Sequence, residues 1–173
     1  HSTLFVFVGR LGADKGPVLL ARAAGKAHVP IRFAGAGPEA DSIRQANPDA
    51  DLRGWLDPAD VRATVRGARA LVSASLWYET QGLSALEAAA HGVPAIVPDT
   101  TVLREVVLDR ETGLWFRGGD EDDLAEKLVL LARDDSLATR LGHAAYQRFW
   151  SQSWDVDTHL ERLEEIYRAA LQD

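Results

Sequence analysis

Six short runs rich in β-forming residues recur along the chain with helical stretches between them. They are TLFVFV (3–8), IRFAG (31–35), ADLRG (50–54), ALVSAS (70–75), PAIVP (94–98) and GLWF (113–116). Runs apolar on both faces are what a parallel sheet covered by helices on each side demands, because neither face meets water. The alternation predicts an α/β fold, a Rossmann-like parallel six-stranded sheet with helices on both faces. After the last run only helical periodicity remains, over about 120–133, 135–149 and 154–171, which makes a helical C-terminal extension. Its last segment carries Leu160, Leu163, Ile166, Tyr167 and Ala170 as an apolar stripe. Local punctuation agrees: LDPADVR puts Asp57 at an N-cap with Pro58 at the first helical position, and GDEDDLAEKLVLL loads acid on a helix start.

At 173 residues with 46% hydrophobic composition, the chain supports one well-buried domain over 1–173 and no second one. It contains no methionine and opens directly into an apolar run, so it is expected to be a piece of a longer protein. The net charge of -7 argues against a nucleic-acid partner, whose affinity rests on lysine and arginine displacing counterions. Any anionic ligand must then be held locally. The absence of cysteine excludes disulfides, thiolate zinc sites and a thiol nucleophile, and fits a reducing, cytoplasmic setting. No apolar run approaches the ~20 residues of a membrane span.

Parallel sheets of this kind bind ligands beyond the carboxyl ends of their strands, where loops feed helix N-termini whose free N–H groups attract anions. Here those loops read GRLGADKG (9–16), GAGP (35–38), GWLDP (54–58), SLWYETQG (75–82) and PDTT (98–101). In the first, Arg10 and Lys15 flank a glycine-rich turn that a ligand can approach closely. With glycines at 9, 12 and 16 it is neither a Walker A loop nor GxGxxG, and a plain solvated turn is the other reading.

The stretch ETQGLSALEAAAHGVP (79–94) is sharper. A helix beginning near Gly82 aligns Leu83, Leu86 and Ala90, with Glu87 only about 40° from Leu83. Glu87 is therefore expected inside the apolar face of a helix buried nearly all round, where a carboxylate needs partners. His91, at i+4, offers a modest helical pair. Alternatively, Glu79 and Glu87, roughly 10 Å apart by helix rise, bracket the amides of Gln81, Gly82 and Leu83. A ligand with a central diphosphate and a hydroxyl-bearing sugar at each end would match that arrangement, with Arg10 and Lys15 neutralising the phosphates. A nucleotide-sugar has that shape.

These residues carry a resemblance. Glu79 and Glu87 form E-x7-E, continuing into EAAAHGVPAIV, preceded by VGRLGADKG and FAGAGP and followed by LREVVLDRETGLWF and GDEDDLAEKL. The set resembles the retaining glycosyltransferases of the GT-B fold, family GT4, from the first strand to about residue 142, and covers only their C-terminal, donor-binding domain. The resemblance implies that Arg10 and Lys15 grip the donor diphosphate, that Glu87 binds the ribose hydroxyls, and that Glu79 binds hydroxyls of the transferred sugar. It implies a phosphate cradle from the amides of Gln81, Gly82 and Leu83 beside Thr80, close approach at Gly9, Gly12, Gly35 and Gly37, and a nucleobase resting at Trp55 and Leu56. The chain departs from the family pattern at Gln81, where an aromatic is common, and at Thr100–Thr101, where a glycine pair is common. Trp77 and Tyr78 either fill part of the pocket or belong to the core.

Asp120–Asp123 imitates the D-x-D metal motif of another glycosyltransferase fold, but helix capping accounts for it better. The resemblance implies no catalytic metal and no cofactor besides the donor substrate. His28, His143 and His159 lack ligand spacing. Trp150 and Trp154 are expected to dock the last helix, part of whose face should be exposed because that region of the relatives packs back toward a partner domain. The expected activity is metal-independent hexosyl transfer with retention. Acceptor and general base would belong to an absent N-terminal domain of the same protein, so the chain alone should bind donor and transfer nothing. A membrane-associated acceptor is compatible with the sequence, although any basic docking surface would lie elsewhere. The alternatives are a nucleotide-sugar 2-epimerase of GT-B fold and a non-catalytic receiver-like module. The latter needs acids after the first strand and a phosphorylatable Asp after the third, where the chain has Gly–Arg and Gly–Trp.

Overall fold

Successive side chains leave opposite faces of a strand, and the central strands use both directions for apolar contact. The computed structural model describes residues 2–77, 82–151 and 156–171. Its strands are β1 (Phe5–Val8), β2 (Ile31–Ala34), β3 (Asp51–Gly54), β4 (Ala70–Val72), β5 (Ala95–Pro98) and β6 (Gly113–Phe116). From one face Phe5, Phe7, Ala70, Val72, Ile96, Leu114 and Phe116 enter the larger core. From the other, Leu71, Ala95 and Val97 enter the smaller.

The helices are α1 (Pro17–Ala27), α2 (Ala40–Ala46), α3 (Pro58–Arg66), α4 (Leu83–Ala90), α5 (Leu103–Val106), α6 (Glu121–Arg133), α7 (Asp135–Ser151) and α8 (Val156–Ala170). Leu20 of α1, Ile43 of α2 and Leu124, Leu128 and Leu131 of α6 close the larger core. Val65 of α3, Ala85 and Ala88 of α4 and Leu103 of α5 close the smaller. Each large side chain so buried contributes on the order of 1.5–3 kcal/mol.

The sheet order is β3-β2-β1-β4-β5-β6, and every pairing is parallel. Connections run one way from β1 and the other way from β4, so the loops after these two neighbours diverge onto opposite faces and leave a crevice between them. The expected α/β architecture is what the chain adopts. The fourth strand is shorter than its sequence run: Ser73 still donates to the Ile96 carbonyl (3.0 Å), but Leu76 donates to the Asp14 carbonyl (2.9 Å), drawing the segment out of the ladder.

The caps form as read. Asp57 accepts from the amides of Ala59 and Asp60 (2.8 and 3.0 Å), with Pro58 opening α3. Asp120 caps α6 by accepting from the Asp123 amide (2.9 Å). Asp123 in turn accepts from the Arg117 amide and from Lys127 Nζ, both at 2.7 Å. Burial opposes its ionisation, but these hydrogen bonds and the neighbouring cations outweigh that and hold its carboxyl below the usual carboxylate range. The acidic run is therefore helix punctuation.

In the C-terminal extension Trp150 donates its ring N–H to the Ala90 carbonyl (3.3 Å) and meets Phe149 edge-on, which places it at the end of α4. Trp154 lies outside the described residues. On α8, Leu160, Ile166 and Tyr167 are all more than half exposed. No helix among the described residues is long and apolar enough to cross a membrane.

Candidate functional site

A cavity of about 310 Å³ opens at the carboxyl ends of β1 and β4, where the strand order reverses. Phe7, Val8 and Gly9 line it from β1, Val72 and Ser73 from β4, and Gly82, Leu83 and Ser84 from the start of α4. Leu103 forms its floor and Lys15 supplies positive charge.

Two glycines make this geometry available. Gly16, at φ +60, ends the 3-10 turn Ala13–Lys15 in the left-handed region; a Cβ there would sit 2.0 Å from the Ala74 carbonyl. Gly82, at φ +62, begins α4 in the same region with no side-chain cap. Helix geometry leaves the first N–H groups of α4 without intrahelical acceptors, and here they open onto the cavity that holds Lys15. An anion placed there meets a lysine and the positive end of a helix together.

The neighbouring loops are stitched to this rim. Gly9 donates to the Ala34 carbonyl (3.0 Å), Gly35 to Gly54 (2.7 Å), Leu11 to Ala36 (2.9 Å) and Glu39 to Leu11 (3.0 Å). Gly37 lies so close to Leu11 that a Cβ would fall 2.4 Å from its carbonyl oxygen. Gly12 underlies Arg10, whose Nη1 would be 2.2 Å from a Cβ at that position.

Of the sequence candidates, Gly9, Lys15, Gly82 and Leu83 line one cavity. Arg10 does not line it: its Nη2 donates to both carboxylate oxygens of Asp14 (2.8 and 2.9 Å), out in solvent. Gly12, Gly35 and Gly37 do not line the cavity, and neither do Trp55, which is 75% exposed, and Leu56, which is half-buried. Glu79, Thr80 and Gln81, with Tyr78, lie outside the described residues. Trp77 is exposed, so it is not core.

Glu87 corrects an expectation. The buried residues of α4 are Ala85 and Ala88, while Leu83 is 63% exposed and Glu87 is exposed beside it. The spacing of Leu83 and Glu87 was sound, but their shared stripe faces outward, because small alanines let α4 lie close against the sheet and α7. No hydrogen bond or ion pair joins Glu87 to His91 among the described residues. Glu87 thus needs no internal partner, and it is not among the residues lining the cavity.

Sequence reasoning did not single out Ser73, Ser84 and Leu103. Ser73 lies within ALVSAS and Ser84 within ETQGLSALEAAAHGVP, and both carried a polar signal. Leu103 opens the quoted block LREVVLDRETGLWF, but nothing in its residue type tied it to the cavity, which it reaches from some 20 residues beyond α4's start.

A family model described as "Glycosyl transferases group 1" matches residues 1–148. A D-inositol 3-phosphate glycosyltransferase of Kribbella flavida is 28% identical over 173 residues, covering 88% of this chain and 41% of that relative. A GDP-mannose-dependent alpha-mannosyltransferase of Corynebacterium glutamicum is 30% identical over 153 residues, covering 87% of this chain and 36% of the relative. The chain therefore spans about two fifths of the length of these curated relatives. Among solved structures, a mutant of S. aureus TarM in complex with Fondaparinux, alpha-GlcNAc-glycerol and UDP superimposes with a TM-score of 0.85 at 21% identity, covering 96% of this chain and 35% of that one. At that identity the likeness bears on the fold.

Proposed function

The chain belongs to group 1 of the glycosyl transferases, and from that premise we propose that it is the donor-binding domain of a retaining, metal-independent hexosyltransferase using a nucleoside-diphosphate sugar. The observation that carries this reading is the shared cavity at the β1/β4 crevice, where Lys15 faces the uncapped start of α4. A diphosphate seated there would have its charge met by an ammonium and by helix amides. Because charge grows on the leaving diphosphate as the glycosidic bond breaks, the same groups would hold the transition state more tightly than the ground state.

In this reading Arg10 leaves Asp14 to reach the second phosphate. Glu79 positions the transferred sugar, Glu87 catches the ribose from the outer face of α4, and Thr80 and Gln81 extend the cradle. Trp55 and Leu56 offer the nucleobase an apolar rest. The UDP held by the TarM structure and the GDP-mannose named for the C. glutamicum relative support a nucleoside-diphosphate donor. The acceptor site and general base fall to the remainder of a longer, cytoplasmic protein, through an N-terminal domain, and the acceptor is compatible with a membrane surface. The chain by itself binds donor and transfers nothing.

The test is a product assay on the full-length protein with UDP-, GDP- and ADP-hexoses. Release of nucleoside diphosphate with a product whose anomeric proton keeps the donor configuration supports the reading. An inverted product, or a donor epimerised with no acceptor consumed, contradicts it.

A further inference from the structure

Ser75 is 2% exposed and lies two residues beyond Ser73, which lines the cavity. Its Oγ lies 3.3 Å from the Asp14 carbonyl oxygen and 3.2 Å from that of Trp77. A hydroxyl carries one proton, and both distances exceed the usual O–H···O separation of about 2.7–2.8 Å, as expected when two carbonyls share it. The Asp14 carbonyl also takes the Leu76 amide at 2.9 Å. Ala74, one residue earlier, presses its carbonyl against Gly16. Three consecutive residues leaving β4 therefore hold the turn on both sides of Lys15. Burying a hydroxyl is unfavourable unless it is hydrogen-bonded, so alanine would suit this buried position better if those hydrogen bonds did nothing.

We propose that Ser75 is a positioning residue for the diphosphate grip. Its shared proton ties the 3-10 turn bearing Lys15 to the segment that leaves β4, so that the lysine is held on the cavity it shares with the start of α4. This rests on the diphosphate reading above. Ser75 touches no ligand and acts through the turn.

The experiment uses the 173-residue chain and titrates UDP, GDP and ADP by calorimetry. Ser75→Ala weakens diphosphate binding about three- to tenfold, the loss of one hydrogen bond, while Ser75→Thr, which keeps the hydroxyl, restores it. Introduced into Lys15→Ala, the alanine change produces no further loss. An equal loss with and without Lys15 overturns the proposal, since that is the mark of general loosening. Amide hydrogen exchange without ligand supplies an independent reading: Ser75→Ala accelerates exchange at Leu76, and unchanged exchange there overturns the proposal. If the unsubstituted chain binds none of the three diphosphates, the donor reading fails, and exchange at Leu76 decides the role of Ser75 in holding the turn.

Discussion

A Cβ at Gly82 would sit 1.9 Å from Cδ2 of Leu103, so the residue that begins α4 and the residue that floors the cavity occupy adjoining space with none to spare. Leu103 is 1% exposed and has little room to retreat. Gly82→Ala adds this clash to the strain of a left-handed alanine and should destabilise the chain by about 1–3 kcal/mol, read from chemical denaturation.

Arg10 and Asp14 form an exposed pair, and such pairs hold weakly. A diphosphate should therefore draw Arg10 away at little cost. Asp14→Asn is expected to raise diphosphate affinity by about two- to fivefold at low salt, with the gain fading as salt is added. A fall in affinity on calorimetric titration would show that Asp14 aids binding instead of competing for Arg10.

Asp123 ties the α6 start to Arg117 and Lys127. Burial works against its charge, but the hydrogen bonds prevail and its folded carboxyl is more acidic than in the unfolded chain. Its contribution is therefore fully present above the ordinary carboxylate range and is lost as the pH falls through the depressed folded value, which places the loss below about pH 4. Asp123→Asn should lower stability at neutral pH and flatten the acid limb of a stability-versus-pH curve. The limb is not abolished, because Asp51 is also shifted down.

Arg69 is 5% exposed, donating through Nε to the Leu131 carbonyl (2.7 Å) and through Nη1 to Asp135, where α6 gives way to α7. Arg69→Met strands that carbonyl at a helix end and should cost about 1–3 kcal/mol in denaturant unfolding. Asp135 is 60% exposed on its side chain, so Asp135→Asn should cost less than about 1 kcal/mol.

Strands and caps were legible because their causes are local: an apolar run, or an aspartate two or three residues before a free amide. The orientation of α4 was not. Periodicity shows that Leu83 and Glu87 share a stripe, but which stripe meets the sheet depends on Ala85 and Ala88 fitting against β4, β5 and α7, a contact between distant segments. The partner chosen by Arg10 was hidden for a related reason, since a 3-10 turn, not an α-helix, brings Asp14 back to it. Lys15 was legible as a cation beside a glycine-rich turn, whereas the hydrogen bond from Ser75 to the Asp14 carbonyl in that turn comes from a segment some 60 residues later.

The most direct measurement is calorimetry of the chain against UDP, GDP and ADP, each paired with its free nucleoside, in the unsubstituted protein and in Lys15→Ala. At least one diphosphate should bind more tightly than its nucleoside, and Lys15→Ala should remove about 1.5–3 kcal/mol of that binding while leaving the nucleoside's unchanged. Equal binding of nucleoside and diphosphate, or a diphosphate affinity indifferent to Lys15, would contradict a diphosphate seat at the start of α4.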